Sequence, residues 1–118
     1  MAVQIKRVYE PAAKADGYRI LIDRLWPRGL SKERAQVDKW LKEVAPSTEL
    51  RKWFNHDPEK WDAFRAKYHA ELDGSSAFAT LLEDIRRHKT LTLLFGARDE
   101  QHNDAVALQQ FLKAQGER

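Results

Sequence analysis

The sequence contains no cysteine. That excludes disulfides, thiolate metal centres and cysteine nucleophiles or redox centres. Glycine is scarce, five in 118 residues, so there is no glycine-rich phosphate loop and no dinucleotide fingerprint. Nucleoside-triphosphate hydrolysis and nicotinamide chemistry of the familiar kinds are therefore not expected, and no cofactor is called for. No apolar run approaches the ~20 residues of a membrane span, and Met1-Ala2-Val3-Gln4 does not open a signal peptide. The expectation is a soluble cytoplasmic protein with no membrane partner. Proline is also sparse, four residues, and neither a low-complexity tract nor an internal repeat marks a linker. A chain of this length is expected to form one domain over residues 1–118, and it is long enough to bury a real core without staples.

Charge is plentiful: 33% of residues are Asp, Glu, Lys or Arg, and the net charge is +3. The total conceals an asymmetry. Residues 1–52 carry 12 Lys/Arg against 7 Asp/Glu, a net of +5, while residues 53–118 carry 9 against 11, a net of −2. One basic half points to an anionic partner such as phosphate, nucleotide or nucleic acid, against the plainer reading of solvated surface charge.

Hydrophobic periodicity supplies the elements. Val3–Tyr9 alternates with one slip, and Tyr18–Asp23 has a continuous apolar centre, as in a strand covered on both faces. Thr90–Phe95 is the third such run. Val37, Trp40, Leu41 and Val44 fall at helical spacing with Ser31 as cap, which predicts a helix placing Trp40 in the core. Ser47 caps a short helix through Phe54. Asp57-Pro58 starts a helix with Trp61, Phe64, Tyr68 and Leu72 on one stripe, ending at Asp73-Gly74. Ser75 or Ser76 opens another, with Phe78, Leu81, Leu82 and Ile85 inward, and Asn103 caps a last one carrying Ala105, Leu108, Phe111 and Leu112. Apolar strands separated by amphipathic helices predict an α/β domain: a short, mostly parallel sheet of about three strands packed by four to six helices. The link between the first two strands is short for a parallel crossover, so these are a hairpin or non-neighbours.

The densest polar cluster, Asp23-Arg24-Leu25-Trp26-Pro27-Arg28-Gly29, follows the carboxyl end of an apolar strand. Ligands of open α/β sheets bind there. Arg28-Gly29 suits an anion nest, and Trp26 suits stacking on a base or sugar. Gly96 to Asn103 leaves the third strand in the same way. If both strands run parallel, Asp99 and Asp23 open into one crevice and can divide acid and base roles. Arg51 can offer a bidentate fork to phosphate. His56 beside Asp57 is a candidate base, although the Asp57 cap explains that pair as well. Asn103 is a helix cap first and a ligand contact second. A metal on His102, Asp99 and His56 has no supporting motif, and none is expected.

These residues also carry a resemblance. Lys6-Arg7-Val8-Tyr9, Asp16-Gly17-Tyr18-Arg19, Ile22 to Gly29, Trp40-Leu41-Lys42 with Ala45-Pro46-Ser47, and Leu50 to His56 resemble the YeaO-like branch of domain-of-unknown-function family 488. So do Phe64-x-x-x-Tyr68-x-x-Glu71-Leu72, Thr92-Leu93-Leu94, Arg98-Asp99 and Asn103-Asp104-Ala105. The match spans about residues 3–112 and implies a small bacterial α/β protein without implying a reaction. Some members of that family have a cysteine after the last strand; this chain has Phe95-Gly96-Ala97, so thiol chemistry does not carry over.

Three functions are consistent with this pattern, the third being a partner-binding protein whose arginine cluster is an ion-pair framework. The first is a hydrolase acting on a nucleotide or nucleic acid. Arg7, Arg19, Arg24, Arg28 and Arg51 would hold the anion, and Asp23 with Glu71 or Asp99 would serve as acid and base. The second is a non-catalytic nucleic-acid-binding or regulatory module, whose affinity would fall steeply with salt.

Overall fold

The computed structural model describes residues 2–116. Strands β1 (Ala2–Arg7), β2 (Tyr18–Leu21), β3 (Lys39–Trp40) and β4 (Thr90–Phe95) form one sheet in the order β1-β4-β2-β3. All three pairings are parallel. The last strand in sequence is therefore central, and its composition says why: Leu91 to Phe95 are all buried, with no polar face to turn to water. The short link after β1 joins strands on either side of β4, so β1 and β2 are not neighbours.

The fourth strand replaces an expected helix. Only α1 (Lys32–Ala35) forms behind the Ser31 cap, and Gln36 ends it in the left-handed region at φ 46°. The chain then extends along β2, where the Asp38 amide donates to Arg19 O and the Leu41 amide to Leu21 O, both at 2.9 Å. Sheet bonds thus satisfy the backbone that the i, i+3, i+4 pattern of Val37–Val44 assigns to a helix, and only a single 3₁₀ turn, Lys42–Val44, remains helical. Trp40 consequently sits at the sheet edge, 38% exposed, with its indole N–H donating to Asp23 O at 2.8 Å.

The other helices follow their sequence signals. Ser47 caps α2 (Thr48–Phe54) through the Leu50 amide. Asp57 caps a 3₁₀ turn, Pro58–Lys60, that leads into α3 (Trp61–Leu72). Ser75 caps α4 (Ser76–Arg87), and Asn103 caps α5 (Asp104–Ala114) through the Val106 amide.

Alternation along the central strands divides the core. Ile20, Ile22, Leu93 and Phe95 join the main cluster with α3, α4 and α5. Leu21 and Leu94 join Val8 and Ala35 in a smaller one, roofed by Trp26, Leu30 and Val37. Each fully buried Leu or Ile stabilises the fold by about 1.5–3 kcal/mol relative to exposure. Gly17, at φ 66°, closes the entry to β2, and a Cβ there would lie 2.2 Å from Thr90 O. Only glycine fits that contact.

Candidate functional site

β2 and β4 run side by side and deliver their carboxyl ends to one place. Pairing continues one residue past β2, the Ile22 amide donating to Leu94 O at 3.1 Å. The next side chain, Asp23, accepts the Gly96 amide at 2.7 Å, which pins its carboxylate across the two central strands. A Cβ on residue 96 would stand 3.2 Å from that carboxylate, so glycine permits the approach. Above it opens a cavity of about 280 Å³.

The floor of the cavity is a pair of carboxyls, Asp23 and Asp104, the latter being the first residue of α5. Burial drives Asp104 well above the ordinary carboxyl range, and the nearby charge of Asp23 pushes in the same direction. The two carboxyls hydrogen-bond to each other, a contact that requires a proton between them. Burial raises Asp23 as well, opposed by that bond, by the Gly96 amide and by the charges of His56 and Arg51. Two adjacent carboxyls in a site of low polarity hold one proton between them. Behind them Tyr68 is fully buried and donates its hydroxyl to Val44 O at 2.6 Å. Burial lifts its phenol well above the usual range, so it braces the floor without ionising.

The walls are apolar and partly aromatic. Phe54 and Phe64 stack at 4.2 Å, and Trp26, Pro27 and Pro46 face the same space. Trp26 is fixed by its indole N–H, which donates to Leu30 O at 2.6 Å. His102 also lines the cavity, its Nδ1 3.0 Å from Asp99 Oδ2 and its ring edge-on to Trp61.

The mouth is cationic. Arg28, Arg51 and His56 line it and are exposed. None of their side chains makes a hydrogen bond or ion pair among the described residues. Two consecutive left-handed residues, Asn55 at φ 46° and His56 at φ 55°, turn the chain at the end of α2 and set the imidazole at the mouth. Asn and His tolerate that region better than most residues, yet such backbone is held at some cost and is concentrated at functional sites. Tyr9 donates its hydroxyl to Arg28 O at 2.9 Å, which ties the arginine loop to the end of β1. Arg24 is directed elsewhere, Nε to Pro46 O and Nη2 to Ala45 O, both at 3.3 Å.

The structure thus gathers Asp23, Arg24, Trp26, Arg28, Arg51, His56 and Asn103 around one cavity. It does not bring the other candidates to its lining. Asp99 accepts the amides of Gln101 and His102, bonds that hold its carboxyl below the ordinary carboxylate range, and it serves a turn. Glu71 accepts the Ser47 amide at 2.8 Å and the Ser47 hydroxyl at 2.6 Å, bracing the start of α2. Arg7 supports the cavity from behind, donating to Ala97 O at 2.8 Å and Gly96 O at 3.3 Å. Arg19 is buried at the far end of β2, bonded to Asp16, Ala35 O and Gln36 O. Asp104, not Asp99, is the carboxyl that meets Asp23. Its signal was the Asn103 cap, which fixes the next residue at the head of a helix beside the carboxyl end of β4. Among the described residues no three His, Asp or Glu side chains are placed to hold a metal ion.

A family model, DUF488-N3i, described as the inactive DUF488-N3 subclade, matches residues 2–118, and the chain belongs to that family. It is 46% identical over 114 residues to the uncharacterized protein YeaO of Escherichia coli K12, covering 97% of this chain and 99% of that one. It is 40% identical over 110 residues to the uncharacterized protein Rv3073c of Mycobacterium tuberculosis H37Rv, covering 93% and 92%. No solved structure matches significantly.

Proposed function

We propose that this protein binds a small anionic molecule of the nucleotide class in the cavity above Asp23 and Asp104, without turning it over. The observation that carries the reading is the pair of guanidinium groups of Arg28 and Arg51, with the His56 imidazole beside them, at the mouth of a cavity with apolar walls, none of the three bonded by its side chain among the described residues. A guanidinium presents a planar fork that matches phosphate, and an exposed arginine with no internal partner is free to use it. At about 280 Å³ the cavity lies near the small end of ligand pockets, with room for one ring system rather than a duplex. A net charge of +3 is small for coating nucleic acid, which depends on neutralising many phosphates. The description of the matched family as an inactive subclade supports binding without turnover.

One observation favours a second reading, hydrolysis of a glycosidic or phosphoester bond. A protonated carboxyl beside an ionised one is the arrangement that general acid–base catalysis uses. Calorimetric titration with the four nucleoside 5′-monophosphates, followed by chromatography after prolonged incubation, separates the two. Saturable binding with intact ligand is expected. Product that appears with the wild type and vanishes with Asp23→Asn would transfer the assignment to the hydrolase. Absence of binding by every mononucleotide would end the binding reading.

A further inference from the structure

The cavity is polar in the electrical sense, and its polarity fixes which end of a ligand enters first. The floor holds two adjacent carboxyls, Asp23 and Asp104, hydrogen-bonded to each other, with Asp23 also accepting the Gly96 amide at 2.7 Å. Two carboxyls that share one proton offer more lone-pair sites than that proton and the Gly96 amide occupy, and together they carry negative charge. An anionic group pressed onto this floor would face like charge in a poorly solvated place. Arg24 does not relieve this, because its guanidinium is directed to the carbonyls of Ala45 and Pro46. The unpaired cations stand at the mouth instead. Phe54 and Phe64, stacked on each other, line the same cavity and give it apolar surface against which a ring can pack.

We infer that the ligand binds head-down: a planar ring bearing N–H donors rests on the Asp23–Asp104 floor, and its anionic group lies at the mouth on Arg28, Arg51 and His56. This rests on the binding function proposed above and adds the orientation and the kind of head group. The molecule selected is therefore two-ended, with an N–H-bearing heterocycle at one end and a phosphate-like anion at the other. Neither half alone satisfies the cavity. Inorganic phosphate lacks the head, and a free nucleoside lacks the anion.

Calorimetry on the full chain tests the orientation with three probes: the tightest nucleoside 5′-monophosphate, its nucleoside, and ribose 5-phosphate. Each is titrated into wild type, Asp104→Asn, Asp23→Asn and Arg51→Gln, after thermal melts have shown that the variants are folded. The nucleotide is expected to bind wild type at least tenfold more tightly than either half. Asp23→Asn removes one carboxyl of the charged floor pair and is expected to weaken nucleotide and nucleoside together by about tenfold or more, the scale of a lost hydrogen bond to a charged group. Ribose 5-phosphate should be unaffected by it. Arg51→Gln should do the reverse, weakening nucleotide and ribose 5-phosphate and sparing the nucleoside. Should a floor variant fail to fold, the Arg51→Gln arm decides alone. Floor variants that weaken ribose 5-phosphate, or an Arg51→Gln that weakens the nucleoside, would overturn the orientation while leaving nucleotide binding intact. Failure of all three probes to bind wild type would overturn both.

Discussion

Each end of β2 carries an aspartate with arginines beside it, and the two clusters differ in how completely their polar atoms are engaged. At the start of the strand Asp16 accepts from Lys6, from Arg19 and from the Ala13 amide. Arg19, 4% exposed, uses its remaining donors on the carbonyls of Ala35 and Gln36. Every charge there has a partner inside the fold. At the end of the strand Asp23 and Asp104 meet carboxyl to carboxyl, and among the described residues the side chains of Arg28 and Arg51 make no hydrogen bond or ion pair, although the charge of Arg51 reaches Asp23. The acidities record the contrast. Burial alone would raise Asp16, but the hydrogen bonds from Ala13, Lys6 and Arg19 outweigh it and leave the carboxyl below its ordinary value. Asp23 and Asp104 are raised. A saturated cluster holds the fold together, whereas an unsaturated one is available to a ligand.

The sharpest way to break this comparison is to remove an arginine from the saturated end. Arg19→Met leaves Asp16 with Lys6 and the Ala13 amide but removes its buried arginine partner and unpairs the carbonyls of Ala35 and Gln36, and loss of one partner of a buried pair costs about 3–5 kcal/mol. The denaturant midpoint should fall accordingly, while nucleotide affinity of the fraction still folded stays as in wild type. A loss below about 1 kcal/mol would mean that the first cluster is as dispensable as the second. The same cluster sets an acid limit. Because Asp16 is lowered from 3.8, its stabilisation is fully present above that pH and disappears as pH falls through the folded value.

The unsaturated end has the opposite sign. An unfolded Asp104 releases its proton near pH 3.8, whereas the folded protein retains it. Wild-type stability therefore declines as pH rises from that point toward the folded value. Asn keeps the shape of the protonated acid and has no proton to release. Asp104→Asn is expected to melt near wild type at pH 4 and progressively above it at pH 6 and 8. Parallel curves for the two proteins across that range would show that Asp104 is ionised in the fold and would remove the contrast with Asp16.

Much of this was legible in the residues themselves. The apolar runs Tyr18–Asp23 and Thr90–Phe95 announced buried parallel strands; the caps at Ser47 and Asn103 placed two helix starts to the residue, and the choice of Ser75 or Ser76 placed a third within one. The segment Asp23 to Arg28 was singled out because polar residues crowd the carboxyl end of a buried strand, and it does line the cavity. What one dimension hides is pairing across the sheet. Trp40 carried a helical spacing, but two backbone bonds to β2 decided its fate. Asp99 and Asp104 are five residues apart and equally suited to an acid role. The difference is that Asp99 closes a turn through Gln101 and His102 whereas the Asn103 cap turns Asp104 toward Asp23. Arg19 and Arg28 likewise read as equivalent arginines until the carbonyls of Ala35 and Gln36 come within reach of one of them.

Smaller effects separate fold from site within the second cluster. His56 adopts φ 55°, which glycine adopts freely, so His56→Gly should leave stability unchanged or raise it by about 0.5–1 kcal/mol. Nucleotide affinity should fall in the same variant, because a side-chain hydrogen-bonding group has left the mouth. A protein that loses stability without losing affinity would show the imidazole to be part of the scaffold. The least change in stability belongs to Arg28→Gln. An exposed side chain with no internal partner is expected to alter the melting midpoint by no more than about 0.5 kcal/mol. Its removal should nonetheless weaken nucleotide binding, and the loss should shrink as salt is raised, since the contact it makes is screened. Arg19 and Arg28 then form a matched pair of experiments on one residue type. One substitution unfolds the protein without a specific effect on ligand, and the other leaves the fold unchanged and acts on ligand alone. Equal stability losses in the two would show that engagement of polar atoms does not tell a structural arginine from a binding one in this fold.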